Sequence, residues 1–225
     1  MNWDVMIESA PELAEGALLT IELIIFSGVL GLALAIPIAL GRVANSWWVR
    51  AVPYAYIFFF RGTPLLVQIF LVYYGLSQFE FIRESFAWPI LREAYWCAII
   101  AFTLNTAAYT AEILRGAIQA VPSGEVEAAK VVGMGRWLRL RRIVLPRAFR
   151  IALPAYSNEV ILMLKGSALA STITLLDLTG MARTIIAQTY MPIELFVAAA
   201  IFYLLITAVI LQGFRFLEKR VHGVS

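Results

Sequence analysis

ALLTIELIIFSGVLGLALAIPIALG, residues Ala17–Gly41, holds a single ionisable side chain, Glu22, in twenty-five positions. A helix of about 20 apolar residues crosses the roughly 30 Å hydrocarbon core of a bilayer. A soluble helix would show a polar face, and this stretch has none. Four further blocks read the same way, approximately Ala51–Leu76, Ala94–Leu114, Ala148–Leu176 and Leu195–Leu217. Membrane β-strands would instead alternate in polarity over about 10 residues. The expectation is an all-α, polytopic membrane protein of about five transmembrane helices, forming one transmembrane domain over residues 1–225. Composition agrees: 61% of the 225 residues are hydrophobic and 15% charged, against about 45–50% and 25% in soluble domains. The first block is too long for a signal peptide and lacks a basic flank before it, so it reads as a retained span.

Charge sets the orientation. The N-terminal stretch carries Asp4, Glu8, Glu12 and Glu15 without a base, whereas Arg42 and Arg50 follow span 1 without an acid. After span 2 come Glu80, Arg83, Glu84, Arg92 and Glu93. Between Arg115 and Arg150 there are eight bases against Glu125 and Glu127. Asp177, Arg183 and Glu194 follow span 4, and the C-terminus carries Arg215, Lys219 and Arg220 against Glu218. Bases gather in alternate connections, which the positive-inside rule places in the cytoplasm. The N-terminus is thus expected outside (periplasmic) and the C-terminus inside. The net charge of +3 lies where a cytoplasmic membrane face puts it, so no nucleic-acid partner is expected.

Catalysis within the chain is not expected. Cys97 and His222 are the only cysteine and histidine, too few for a Cys/His metal site or a triad with a positioned base. Cys97 reads as a small core residue. No G-x-x-x-x-G-K-[ST] occurs, and Lys165-Gly166-Ser167 has the wrong order.

The longest non-spanning segment, approximately 116–147, is patterned. Ser123 is a candidate N-cap, Glu125 and Glu127 sit in the first turns where a helix dipole favours acids, and Gly133 permits a left-handed end. This is a short amphipathic helix at the inner membrane surface, and a surface anchor is its simplest role. Its spacing says more. Glu127-Ala128-Ala129, three residues, Gly133, nine residues, Ile143, one residue, Leu145-Pro146 resembles the signature loop of bacterial ATP-binding-cassette (ABC) importer permeases. Phe60–Gln68 (FRGTPLLVQ), Thr110–Ile118 (TAEILRGAI) and Leu153–Glu159 (LPAYSNE) resemble the polar amino-acid branch, in particular permeases for histidine, for lysine/arginine/ornithine and for opines.

The resemblance implies a bacterial inner-membrane permease subunit importing polar, chiefly basic, amino acids or opines. Its implied partners are a second permease copy or paralogue, two ATPase subunits that hold ATP-Mg, and a periplasmic substrate-binding protein. The chain itself would hold no cofactor. The loop would be a cytoplasmic coupling helix, with Ala128, Ala129 and Gly133 keeping the docked face small and Glu127 anchoring it. A self-sufficient secondary transporter is the alternative, though five spans without visible inverted repeats speak against it.

Polar residues at depth mark candidate substrate contacts. Gly62-Thr63-Pro64 should break span 2; Arg61 and Thr63 can supply donors to the freed carbonyls, and Thr63 could equally line a pathway. Asn105, Tyr109 and Glu112 share one face of span 3, with Glu112 close enough to Arg115 for a local ion pair. Asn158 and Lys165 share a face of span 4, with Glu159 about 100° around. Thr63, Asn105, Asn158 and Glu159 are the substrate candidates; a buried network holding helices together is the other reading. Glu22 reads as an interfacial, structural residue.

Overall fold

The computed structural model describes residues 2–222, without the side chain of His222. Every regular element among these residues is helical. A short helix α1 (Trp3–Glu8), capped by Asn2 accepting from the Asp4 N–H, leads into α2 (Ala10–Arg42). Next come α3 (Trp47–Gly62) and α4 (Leu65–Phe70), the latter extended by a π turn and a 3-10 turn to Gln78. Short helices α5 (Glu80–Arg83) and α6 (Trp88–Leu91) precede the long α7 (Ala94–Gln119). The segment after it holds α8 (Ser123–Val131) and α9 (Arg136–Arg139). Helix α10 (Leu145–Ser167) continues as a 3-10 segment to Ile173, and α11 (Leu178–Thr189) and α12 (Pro192–His222) complete the chain.

Three of these helices, α2, α7 and α12, are each long and apolar enough to cross a membrane. Two bent pairs bring the number to five when each is counted as one span: α3 with Leu65–Gln78, bent by 106°, and Arg136–Ile173 with α11, bent by 49°. The helices overrun the blocks read from hydropathy, because they carry on into polar ends: α2 begins at Ala10, α7 continues to Gln119, and α12 runs from Pro192 to His222.

Helix α7 is central, packing on α2, α10 and α3. Lipid offers no hydrophobic drive between helices, so close approach of small residues does the work. Helix α2 buries Gly16, Ala17, Thr20, Ser27, Gly28, Gly31, Ala35 and Ala39, and α7 buries six alanines along its length. At Gly31 a Cβ would lie 2.8 Å from Thr106 Cγ2, closer than side chains tolerate. Ser27 and Tyr56 donate to the carbonyls of Ile99 and Leu104, and Glu22 accepts from Tyr95 at 2.6 Å, tying span 1 to span 3 in keeping with a structural role. Cys97 is buried, its thiol donating to Leu91 O.

Helix α11 falls in a stretch read only as a connection. Leu178, Ala182 and Ile185, at i, i+4 and i+7, bury one face against α2 and α12. Fully buried Asp177 caps it, accepting from the Thr179 and Gly180 N–H groups, while the Leu178 N–H donates to Thr20. Its apolar face is too short to stand out from hydropathy.

Candidate functional site

Pro64 lacks an N–H and forces Thr63 into extended backbone (φ −113°, ψ 145°), so the helix breaks there as the sequence implies. The freed carbonyls find donors, though Arg61 is not among them. Thr63 Oγ1 does donate to Phe59 O at 2.8 Å. The main supplier, however, is Gln68, whose Nε2 lies 2.8 Å from Phe60 O, 3.0 Å from Thr63 O and 2.8 Å from Thr63 Oγ1. Asn105 joins from α7, donating to Gln68 Oε1 (2.9 Å) and Phe60 O (3.3 Å). Arg61 is not a donor to these carbonyls; its guanidinium lies over the Tyr109 ring, 5.1 Å from the centroid. Gln68 is 3% exposed. It stands within the quoted Phe60–Gln68 motif, one turn beyond a proline break, and that was the signal available for it.

Beside this break is a cavity of about 470 Å³, within the usual range for ligand sites of roughly 300–1,000 Å³. Arg61, Thr63 and Pro64 line one side, Asn105, Thr106 and Tyr109 of α7 another, and Glu159 and Met163 of α10 the third. Three of the four substrate candidates, Thr63, Asn105 and Glu159, therefore converge. Asn158 does not line this cavity: it is exposed on the face of α10 that also exposes Lys165, one helical step away from buried Glu159.

Glu159 is 7% exposed, with the Thr106 hydroxyl within reach; that hydroxyl also lies 3.2 Å from Met163 Sδ. Arg61 is the cation whose field reaches it, yet no ion pair within 4 Å joins the two among the described residues. The cavity thus presents a guanidinium and a carboxyl group that form no ion pair with each other. Glu112, by contrast, is spent: it pairs with Arg115 at 2.8 Å and with Arg42 at 3.3 Å.

The second candidate region is the segment between α7 and α10. The helix begins one residue earlier than the Ser123 cap implies. Pro122 (φ −55°, ψ 127°) is the cap residue, and no side-chain cap bond forms, because the proline ring carries no acceptor; its fixed φ sets the entry to the first turn. Gly133 has φ +80°, and the Gly133 N–H donates to Lys130 O while the Met134 N–H donates to Ala129 O. This is the paired 5→2 and 6→1 bonding of a Schellman helix end. Nothing lies within 4 Å of a Cβ placed on Gly133, so within this chain the glycine serves backbone conformation. Glu127 and Ala128 are exposed and Ala129 is buried. Next to them Val131, Val132 and Trp137 stand 87%, 75% and 70% exposed, apolar side chains left uncovered by the described residues. Glu125 pairs with Arg147 at 3.3 Å and so ties α8 to the start of α10.

Comparison with known proteins places this geometry. The family model described as the binding-protein-dependent transport system inner membrane component matches residues 28–223. An octopine transport system permease protein of Rhizobium radiobacter is 53% identical over 92% of this chain and 84% of its own. A histidine/lysine/arginine/ornithine transport system permease protein of Escherichia coli is 46% identical over 91% and 87%. The crystal structure of an amino acid ABC transporter with histidines contains a chain that superposes with a TM-score of 0.86 at 33% identity, covering 98% of this chain and 99% of that one. The chain therefore belongs to the family of inner membrane components of binding-protein-dependent transport systems, the permease subunits of ABC importers.

Proposed function

We propose that this permease passes cationic amino acids or opines through the cavity at the break of α3 and α4. The carrying observation is the pairing of Arg61 and Glu159 across that cavity without direct contact. An α-amino acid with a basic side chain brings a carboxylate for the guanidinium and a cation for the buried carboxylate. A carboxyl group at membrane depth that forms no ion pair among the described residues is available to a cationic substrate group. The relatives' substrates, octopine and histidine/lysine/arginine/ornithine, have this chemistry. Thr63 and Asn105 shape the cavity wall, their donors being held by the break itself.

The energy comes from elsewhere. Two ATPase subunits holding ATP-Mg drive the cycle, a second permease copy or paralogue completes the pathway, and a periplasmic binding protein delivers substrate. Helix α8, with Glu127 and Ala128 outward and the exposed Val131, Val132 and Trp137 beside it, docks on an ATPase. Asn158 and Lys165, exposed polar groups on a bilayer helix, face the second permease subunit rather than lipid. The N-terminus is periplasmic and the C-terminus cytoplasmic. A reporter fused after Ser225 is expected inside and one at residue 85 outside; the same side for both would end the five-span arrangement. Uptake of labelled opines and basic amino acids, with a binding protein and ATPase supplied, tests the substrate class. Transport of neutral amino acids only would refute it.

A further inference from the structure

We propose that a cavity separate from the substrate site, at the C-terminal end of α7, holds the phosphodiester headgroup of an anionic phospholipid. The cavity, of about 530 Å³, is lined by Arg42 at the end of α2, Trp47, Arg50 and Tyr54 on α3, and Arg115 and Gln119 on α7. It shares no residue with the Arg61–Glu159 cavity. Three guanidinium groups meet one carboxylate, Glu112, so two positive charges remain.

Two of the guanidiniums are held in place. Arg42 is fixed by Glu112 and by the Tyr54 ring, 5.0 Å from its centroid. Arg115 is fixed by Glu112 and by Gln119 Oε1 at 2.8 Å. Groups already ordered lose little freedom when a ligand arrives, and the planar guanidinium fork matches phosphate oxygens. Arg50 is exposed and has no ion-pair partner among the described residues.

Depth selects the ligand. These residues cluster where spans end, and Trp47 and Trp48, 61% and 78% exposed, stack edge to face there. Exposed tryptophans at span ends mark the headgroup layer. Basic pockets between helix ends on the cytoplasmic side attract anionic headgroups, whereas a cationic substrate would be repelled. Placing the site in the cytoplasmic leaflet rests on the orientation proposed above; the site itself does not.

The phosphate could come from a lipid or from solution, and the test separates them. The assembled importer is placed in nanodiscs of phosphatidylcholine doped with phosphatidylglycerol, and lipids retained on extraction are counted by native mass spectrometry. Preferential retention of phosphatidylglycerol is expected. Arg50→Gln, which breaks no ion pair of the fold, is expected to weaken that retention about fivefold, the effect of one base at an anionic surface. Equal retention by wild type and Arg50→Gln overturns the proposal. Displacement of the lipid by inorganic phosphate alone would make this a free-phosphate site and overturns the lipid assignment. Loss of the ATPase from Arg50→Gln with lipid retention unchanged would make the surface a protein contact, overturning it as well. Nanodiscs present the same lipids to both leaflets, so these outcomes do not depend on orientation, which the Ser225 reporter reads separately.

Discussion

The α3–α4 break and the α8 segment are both interruptions of the apolar pattern, and they are built on opposite principles. The break is held by side chains: its freed carbonyls are satisfied by Gln68 one turn on and by Asn105 from another helix. The α8 segment closes itself, ending in backbone bonds from Gly133 and Met134 to Lys130 and Ala129. One draws part of its hydrogen bonding from another helix; the other ends on its own backbone and leaves Val131, Val132 and Trp137 bare. The lesson is mechanical. Polar backbone at membrane depth is tolerated only where protein groups satisfy it, whereas a helix end at the surface can close on its own backbone.

The largest expected effect tests the self-closing region. Gly133→Asp is expected to abolish substrate-stimulated ATP hydrolysis while leaving membrane insertion intact. Gly133→Asn sharpens the comparison, because asparagine enters left-handed backbone more readily than most residues. If the helix end is what matters, Asn restores a measurable part of the stimulation. If the docked face simply has no room, Asn fails as Asp does. Unchanged stimulation in both would remove coupling from this loop.

The cavity side is probed by Glu159→Gln. Loss of one charge-assisted hydrogen bond, roughly 1.5–3 kcal/mol, should raise the half-saturation concentration for a cationic substrate about tenfold to a hundredfold. A membrane immunoblot beside the transport kinetics decides between roles. Normal kinetics with little protein would make Glu159 a structural residue instead.

A smaller effect is expected from Gln68→Leu. Removing the amide leaves Phe60 O and Thr63 O without their principal donor, which costs about 1–3 kcal/mol. The purified complex should melt at a lower temperature. An unchanged melting point would mean that the break does not depend on side-chain donors, erasing the contrast between the two regions.

The smallest effect is expected at Asn158, which shares α10 with Glu159 but not its cavity. Asn158→Ala should alter the half-saturation concentration by less than about twofold, as for an exposed site with no special contact. A tenfold rise would move substrate contact to the exposed face of α10 and redraw the site.

Much of this was legible in the residues. Apolar blocks poor in charge announced helices, because bilayer hydrocarbon rejects unpaired polar groups whatever the tertiary arrangement. Gly62-Thr63-Pro64 announced a break and Gly133 a left-handed end, both consequences of local covalent geometry. Glu112 was correctly given Arg115, one helical turn away. Its second partner, Arg42, lies seventy residues back and was not readable.

What the sequence determined by itself is everything that depends on neighbours along the chain: span composition, the site of the break, the α8 helix and its end, and the asymmetry of charge. What only the tertiary structure decided is which polar groups share a space. Asn158 and Glu159 are adjacent in sequence, yet the rotation of α10 against α7 buries one in the cavity and exposes the other. The same packing hands the carbonyls of the break to Gln68 and Asn105 rather than to Arg61. Rotation about a helix axis is fixed by the close approach of small residues such as Gly31 to Thr106, a contact between segments that no local pattern encodes.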